Sequence, residues 1–265
     1  MNTHRSPQDG PVKLLTRADD AGSAGSANRA IRSTCEHGIA RNVSLMAPAP
    51  FIEDAAAVVA DLKHIDFGLH ISLNCEWEYP HWGPVAPLAQ VPDLVDKEGN
   101  LLPTPKQLHE VGASRKQIMT EVRAQLQRLR TLGFTIAYMD EHMGVGWLPE
   151  LAEELTELAA QEGLIFRPVL QNLPDPIKVE ATFSRADWLA AVLPALRAGV
   201  YRLVGHPAYN DAEMQAYRRP GQARGEVAAS RADQRTLFTD PGVLEAVERN
   251  SIPPVRYTDV FQPPA

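Results

Sequence analysis

The chain has little cysteine and no long apolar run, and both absences exclude broad classes of protein. Its 265 residues include two cysteines, Cys35 and Cys75, which are too few for the disulfide framework of a small secreted domain. The polar opening MNTHRSPQDG lacks the apolar segment of a secretory signal, and no stretch approaches the roughly eighteen apolar residues of a membrane span. We therefore expect a soluble cytoplasmic protein.

Positive charge is also scarce. Lysine and arginine number 26 against 33 aspartate and glutamate residues, which gives a formal net charge of −7. This balance argues against a general nucleic-acid or anionic-membrane binder and favours a small neutral or cationic substrate. Hydrophobic residues make up 44% of the chain, enough for one sizeable core. We predict a single domain over residues 1–265, with residues 1–11 as a disordered tail.

Segments typical of strands and of helices alternate along the whole chain. The strand-like segments lie at 12–18, 41–47, 66–73, 134–140, 164–170 and 200–206, and helical periodicity separates them. Such alternation indicates parallel strands joined by crossover helices. We predict an α/β fold of the (β/α) barrel type, TIM-like and distorted or incomplete.

Two features of this pattern carry local predictions. Ser114 opens the strongest helical segment, and Gln117 three residues later predicts a capping box at its start. The segments 74–105 and 207–235 interrupt the alternation, and we expect long loops there.

Polar side chains with metal or acid–base chemistry occur where the predicted strands end. They are Asp19, Asp20, His70, Asp140, Glu141, His142 and His206. Because the carboxyl ends of barrel strands share one face, we expect these residues to converge. An aspartate with two histidines suits a divalent cation such as zinc, with positions left for water and substrate. A cation would also relieve the repulsion between Asp19 and Asp20.

Each of these residues also has a purely structural interpretation. A histidine in a strand is more often a satisfied core or surface residue than a ligand. The pair Asp19 and Asp20 fits a helix N-cap with a solvated neighbour about as well. The coincidence of such residues at four strand ends favours the functional interpretation.

Four motifs stand out in the order RADDAGSAGSANRAI, FGLHISLN, YMDEHMG and GHPAYND. Their order and approximate spacing resemble those of the YdjC family, the ChbG-like carbohydrate deacetylases, from about residue 12 to the closing PPVRYTDV. The resemblance implies a distorted TIM-like barrel. It also implies a metal-dependent hydrolase that removes the N-acetyl group from an acetylated amino sugar or oligosaccharide.

The resemblance also implies roles for individual residues. By position, Asp20, His70 and His142 become the metal ligands, Asp19 the general base and His206 the general acid. The implied cofactor is one divalent metal ion, zinc or magnesium.

The sequence departs from the family pattern at two points. Ala21 and Gly22 stand where the family usually has Phe-Gly, and Gly144 stands where a second histidine often follows the DxH element. The second departure concerns the sugar subsite more than the metal, because three ligands remain. Glu141 is unusual at its position, and we expect it to face solvent.

The two predicted loops hold the candidate substrate contacts. Trp77, Tyr79 and Trp82 offer aromatic faces for a sugar ring, although they fit a small satellite core beneath the loop equally well. The arginines of segment 207–235 are most often a solvated face or the contact of a homodimer. Gripping a phosphorylated or acidic sugar is the less common role.

Two other functions stay open at this point. A metal-dependent sugar isomerase or epimerase would share the barrel, but it would need carboxylates at more strand ends. A non-catalytic sugar-binding protein would gain nothing from Asp19 beside a ligand. Release of free acetate without a change in sugar stereochemistry distinguishes deacetylation from both.

Overall fold

The computed structural model describes residues 10–148, 151–174 and 184–263. Most of the tail predicted at residues 1–11 lies outside these ranges. The strands within them are β1 (Val12–Ala21), β2 (Asn42–Leu45), β3 (Asp66–Ile71), β4 (Ile136–Glu141), β5 (Ile165–Phe166), β6 (Gln171–Asn172), β7 (Gly199–Gly205) and β8 (Pro254–Val255).

One parallel sheet contains these strands. Its order is β5-β4-β3-β2-β1-β7-β6, and the short β8 pairs with the first half of β1. The central strand β1 pairs with β7 along most of its length and with β2 near its carboxyl end. The sheet curls into a half-barrel, and within the described ranges its edge strands β5 and β6 do not pair with each other. This confirms the predicted incomplete TIM-like barrel.

Helices connect the strands. They are α1 (Gly25–His37), α2 (Ile52–Val59), α3 (Pro105–Glu110), α4 (Arg115–Thr131), α5 (Leu151–Glu162), α6 (Arg185–Val192), α7 (Glu226–Thr239) and α8 (Pro241–Arg249). In α4, the stripe of Ile118, Val122, Leu126 and Leu129 is buried, as its periodicity predicts. Across the described ranges, every helix is too short or too polar to cross a membrane.

The capping box predicted at the start of α4 is wrong. The Ser114 side chain makes no hydrogen bond to the first turn of the helix. Gln117 is engaged elsewhere, because its amide donates to Oδ2 of Asp93 at 2.7 Å and accepts from the Asp93 backbone at 2.8 Å. Gln117 therefore attaches the preceding loop to α4.

The loop predicted at 207–235 is only partly a loop, because α7 begins inside it at Glu226. The stretch EVAASRADQRTLF has few large apolar residues, so its periodicity is weak. One side of the helix is nevertheless buried, with Val227, Leu237 and Phe238 among its buried residues. Segment 74–105 is a long loop with two short 3-10 turns, as expected.

A close approach inside the sheet depends on Gly68. A Cβ atom at this position would lie 2.2 Å from the Tyr138 ring, so only glycine leaves room for that ring. Tyr138 is fully buried, and its ring stacks on Tyr257 with 4.1 Å between centroids. This stack attaches the C-terminal segment to the sheet.

Candidate active site

The strand register brings the predicted site residues to one end of the sheet. His70 on β3 pairs directly with Asp140 on β4, and His142 follows β4 by one residue. Ala18 on β1 pairs with Gly205 on β7. Asp19 and His206 are the next residues along these two adjacent strands. The convergence expected from parallel strand ends is therefore present.

Three donor atoms meet at the centre of this site. Oδ1 of Asp20 lies 3.4 Å from Nε2 of His70 and 3.4 Å from Nδ1 of His142. These two ring nitrogens are themselves 3.3 Å apart. All three residues are buried. One oxygen and two imidazole nitrogens in this arrangement match the donor set of a divalent cation.

Carboxylates fix the orientation of both imidazole rings. Nδ1 of His70 lies 3.0 Å from Oδ2 of Asp140, and Nε2 of His142 lies 3.0 Å from Oε2 of Glu76. A ring nitrogen that donates to a carboxylate leaves the other nitrogen to bind a metal, and such carboxylates are typical of metal-binding histidines. Both inner nitrogens point toward Asp20.

The surroundings of Oδ1 of Asp20 indicate whether a cation fits this site. This oxygen is buried, and no donor in the described ranges forms a hydrogen bond with it. Leaving a buried carboxylate oxygen unpaired is costly unless a cation or a proton satisfies it. A divalent ion between this oxygen and the two ring nitrogens would do so, and the donor set therefore fits such an ion.

The backbone at Asp20 is bent to present its carboxylate. Its φ angle is +66°, and the pairing of β1 with β2 shifts register between Ala18 and Ala21. Aspartate tolerates this left-handed conformation better than most residues, and such backbone outliers concentrate at functional sites. Gly22, two residues later, has a φ angle of +97°, and a Cβ atom at this position would lie 3.0 Å from Cδ1 of Ile52. The bend turns Asp20 out of the regular alternation of the strand.

A buried arginine neutralises Asp20. Nη2 of Arg231 donates to Oδ2 of Asp20 at 2.5 Å. Burial raises the pKa of Asp20, but the charge of Arg231 and the facing imidazole of His142 outweigh it and hold this pKa well below its usual range. Asp20 is therefore an anion in this site.

Asp19 makes a different set of contacts. Nε and Nη2 of Arg17 donate to its two oxygens at 2.6 and 2.8 Å. Arg17 also lies 2.9 Å from Oδ2 of Asp140, and its Nη1 donates to the Tyr257 hydroxyl at 3.2 Å. The fork of the guanidinium thus fixes the orientation of the Asp19 carboxylate.

The histidines carry raised pKa values in the ion-free protein. Burial lowers the pKa of His70, but Asp140 and Asp19 outweigh it and raise it to about 10. Burial likewise lowers the pKa of His142, while Glu76 and Asp20 raise it to about 9. A metal must therefore displace protons from this site.

His206 lies at the edge of the site and is partly exposed. Its backbone amide donates to Oε1 of Gln234 at 2.9 Å, and its Nδ1 lies 3.1 Å from the same oxygen. It lines a pocket of about 180 Å³ together with Trp77, Arg219 and Arg231. This pocket adjoins Asp20 through Arg231.

The three aromatic residues proposed as sugar contacts have different surroundings. Trp77 lines the pocket beside His206, and the guanidinium of Arg219 lies 4.8 Å from its ring centroid. Trp82 is 4% exposed and packs in the main hydrophobic core, so its ring is not open to a sugar in this conformation. Tyr79 is 59% exposed. Trp77 is also 4% exposed and belongs to the same core, so contact of its ring with a sugar stays a prediction.

Glu141 does not face solvent as expected. Its Oε2 accepts hydrogen bonds from the backbone amides of Val145 and Gly146, and its Oε1 accepts from Arg167. The negative charge at this position is therefore used to shape the loop after β4.

Several residues of the site were not singled out by sequence reasoning. Arg17 stands two positions before Asp19, where strand alternation places both side chains on one face. Glu76 and Arg231 lie in the two segments predicted to be loops. No sequence pattern near either residue indicates that it reaches the site. Arg231 is buried and Arg219 donates to Glu76 at 2.9 Å, so these two arginines of segment 207–235 do not belong to a fully solvated face.

Comparisons with known proteins agree with this fold. The profile of a family described as YdjC-like protein matches residues 13–249. A carbohydrate deacetylase of Geobacillus stearothermophilus is 25% identical over 261 residues, which cover 95% of this chain and 99% of the relative. One of Thermoanaerobacter pseudethanolicus is 26% identical over 252 residues, which cover 90% and 95%.

A solved structure is similar over nearly its full length. This crystal structure from Enterococcus faecalis V583, provisionally described as a cellobiose-phosphate cleavage protein, has a TM-score of 0.78 and 19% identity. The match covers 96% of this chain and 100% of the other. It shows the same fold.

Proposed function

Because the chain belongs to the YdjC-like family, we propose that it is a metal-dependent carbohydrate deacetylase. The substrate is an acetylated amino sugar or oligosaccharide, and the reaction hydrolyses its N-acetyl group. The relatives named as carbohydrate deacetylases support this class of hydrolase. The observation that carries the proposal is the meeting of Oδ1 of Asp20 with one nitrogen each of His70 and His142.

Asp20, His70 and His142 would hold one divalent ion, zinc or magnesium. When bound, such an ion supplies Lewis acidity that makes water nucleophilic near neutral pH and polarises a carbonyl. Asp140 and Glu76 keep the two rings in the orientation that binding requires.

Asp19 is the proposed general base. It accepts a proton from the attacking water while the water oxygen bonds to the acetyl carbon. The fork of Arg17 orients this carboxylate, and its neighbour Asp20 is turned away by the backbone bend. The adjacent carboxylates therefore have separate roles, one in holding the ion and one in moving a proton.

His206 is the proposed general acid. It donates a proton to the sugar nitrogen as the carbon–nitrogen bond breaks, which releases acetate and the free amine. Its position on the strand next to Asp19 places donor and acceptor on neighbouring strand ends. Trp77, in the same pocket, is the best placed of the three aromatic residues to contact the sugar.

Metal analysis together with an acetate-release assay tests the proposal. Purified protein, stripped of metal and reloaded with Zn²⁺ or Mg²⁺, should release acetate from N-acetylglucosamine oligomers and leave sugar stereochemistry unchanged. Altered stereochemistry without acetate would indicate an isomerase or epimerase. Binding of the oligomers without turnover, in metal-loaded protein, would indicate a sugar-binding protein.

A further inference from the structure

A second group of buried donor atoms lies on the other side of the His70 ring. Asp19, His70 and Asp140 each offer a ligand atom, and these atoms lie within 4.8 Å of one another. Asp140 is 9% exposed, and its Oδ1 has no hydrogen-bond partner in the described ranges. Two carboxylates and an imidazole form a donor set that divalent ions bind in other proteins.

The cation at this second group is a side chain of the protein itself. Arg17 is 8% exposed, and it contacts both carboxylates, at 2.6 and 2.8 Å from Asp19 and 2.9 Å from Asp140. Its remaining Nη1 donates to the Tyr257 hydroxyl. The planar fork is held on three sides, so it cannot swing away without removing its charge from two buried carboxylates, although Asp140 keeps its contact with His70.

We propose that the guanidinium of Arg17 is the resident cation of this second donor set and limits the centre to one divalent ion. The inference rests on the proposed function, because it takes the set of Asp20, His70 and His142 as the first ion site. His70 belongs to both sets, presenting Nε2 to Asp20 and Nδ1 to Asp140. A guanidinium neutralises Asp19 through hydrogen bonds, whereas a metal ion would bind its carboxylate oxygens as ligands. With Arg17 in place, these oxygens can still accept a proton.

Removing the positive charge should open the second site. In Arg17→Met, Asp19 and Asp140 lose the guanidinium between them, and the repulsion of the two carboxylates favours uptake of a second divalent ion. Arg17→Lys keeps a positive charge and should still exclude that ion. Arg167→Met is the matched control, because Arg17 and Arg167 both line a pocket of about 270 Å³, but Arg167 pairs with Glu141 near the surface.

The measurement is the number of Zn²⁺ and Co²⁺ ions bound per chain after equilibrium dialysis, with anomalous diffraction to locate them. We expect one ion in the wild type, in Arg17→Lys and in Arg167→Met, and two in Arg17→Met. Two ions in the wild type, or one or none in Arg17→Met, would overturn the inference.

Two further cases have defined outcomes: a variant that folds poorly and a wild type that binds no ion. Arg17→Gln is prepared in parallel in case Arg17→Met fails to fold. If both variants fold only when refolded with Zn²⁺, two ions in the refolded protein support the inference and one contradicts it. A wild type that binds no ion refutes the proposed metal centre, whereas one ion in the wild type and one in Arg17→Met refutes only the role of Arg17.

Discussion

The imidazole rings of His70 and His142 meet edge to face, with centroids 5.2 Å apart and an interplanar angle of 72°. This geometry lets one ring present Nε2 and the other Nδ1 to the same carboxylate oxygen without stacking the rings. The outer nitrogens face Asp140 and Glu76. Two carboxylates from different segments thus preorganise the inner nitrogens for an ion.

Replacement of either histidine should remove the ion. His70→Ala or His142→Ala deletes a proposed ligand, and the loss of affinity should exceed the ~10–100-fold effect of losing an outer partner. Metal content by mass spectrometry checks this. His37→Ala, at an exposed position at the end of α1, is the control and should leave the content unchanged. Full metal content in both site variants would refute the ligand assignment.

Replacing Asp19 and replacing Asp20 should have different effects on metal content and activity. Asp20→Asn should lose the ion and the activity together. Asp19→Asn should keep near-normal metal content while kcat falls on the order of 10²–10⁴-fold, because asparagine cannot accept the proton. Paired measurements of metal content and acetate release check both variants. A folded Asp19→Asn protein without metal would show that the two roles are assigned wrongly.

Metal affinity should rise with pH. The pKa values of about 10 for His70 and about 9 for His142 mean that the ion-free site holds protons at neutral pH. Binding must release them, so apparent affinity falls as pH is lowered. Calorimetry of Zn²⁺ binding in buffers of different ionisation enthalpy measures this release. Binding without proton release at pH 7 would contradict the prediction.

The same shifts make the stability of the ion-free protein depend on pH. Both histidines have folded pKa values above the ordinary value of about 6.5, so their contribution is complete below that pH. It is lost as pH rises through about 9 to 10. Urea unfolding of ion-free protein between pH 6 and pH 10 checks this, and the His70→Ala and His142→Ala proteins should show a smaller decline.

Loss of Arg231 should destabilise the ion-free protein more than the Zn²⁺-bound protein. Arg231→Met leaves the buried Asp20 without its guanidinium, and breaking such a pair costs about 3–5 kcal/mol. A bound ion can neutralise Asp20 instead, so the loss should be smaller with Zn²⁺ present. Unfolding with and without Zn²⁺ measures the difference. Arg235→Met, one turn further along α7, should show no dependence on Zn²⁺.

Trp77 and Trp82 should differ although both are buried. Trp77→Phe alters the pocket that His206 lines and should raise KM. Trp82→Phe changes core packing and should lower the melting temperature with normal KM in the folded fraction. Steady-state kinetics and thermal unfolding of both variants separate the two effects. A raised KM for Trp82→Phe alone would reverse the assignment.

Sequence patterns predicted the parallel sheet and the end at which polar residues meet. The reason is that strand alternation and strand ends are local properties, visible at Asp20, His70 and His142. The partners of those residues were less visible. Arg231 lies on a helix with weak periodicity, and Glu76 lies in a long loop, so long-range packing alone brings them to the site.

Local signals can also be redirected by tertiary contacts. Ser114 and Gln117 have the spacing of a capping box, but Asp93 takes up the Gln117 amide. Glu141 has no sequence pattern that distinguishes a solvated carboxylate from one that accepts two backbone amides. Such outcomes depend on which group comes near in space.

The central position of β1 has a consequence for how the chain folds during synthesis. Val12 pairs with Gly199, so the first strand waits for a partner made about 190 residues later. At synthesis rates of roughly 5–20 residues per second, one edge of β1 stays unpaired for about 10–40 s. The first strand therefore exposes unpaired backbone groups on that edge during this interval, and the carboxylates of Asp19 and Asp20 at its end acquire the neighbouring strand β7 only late in translation.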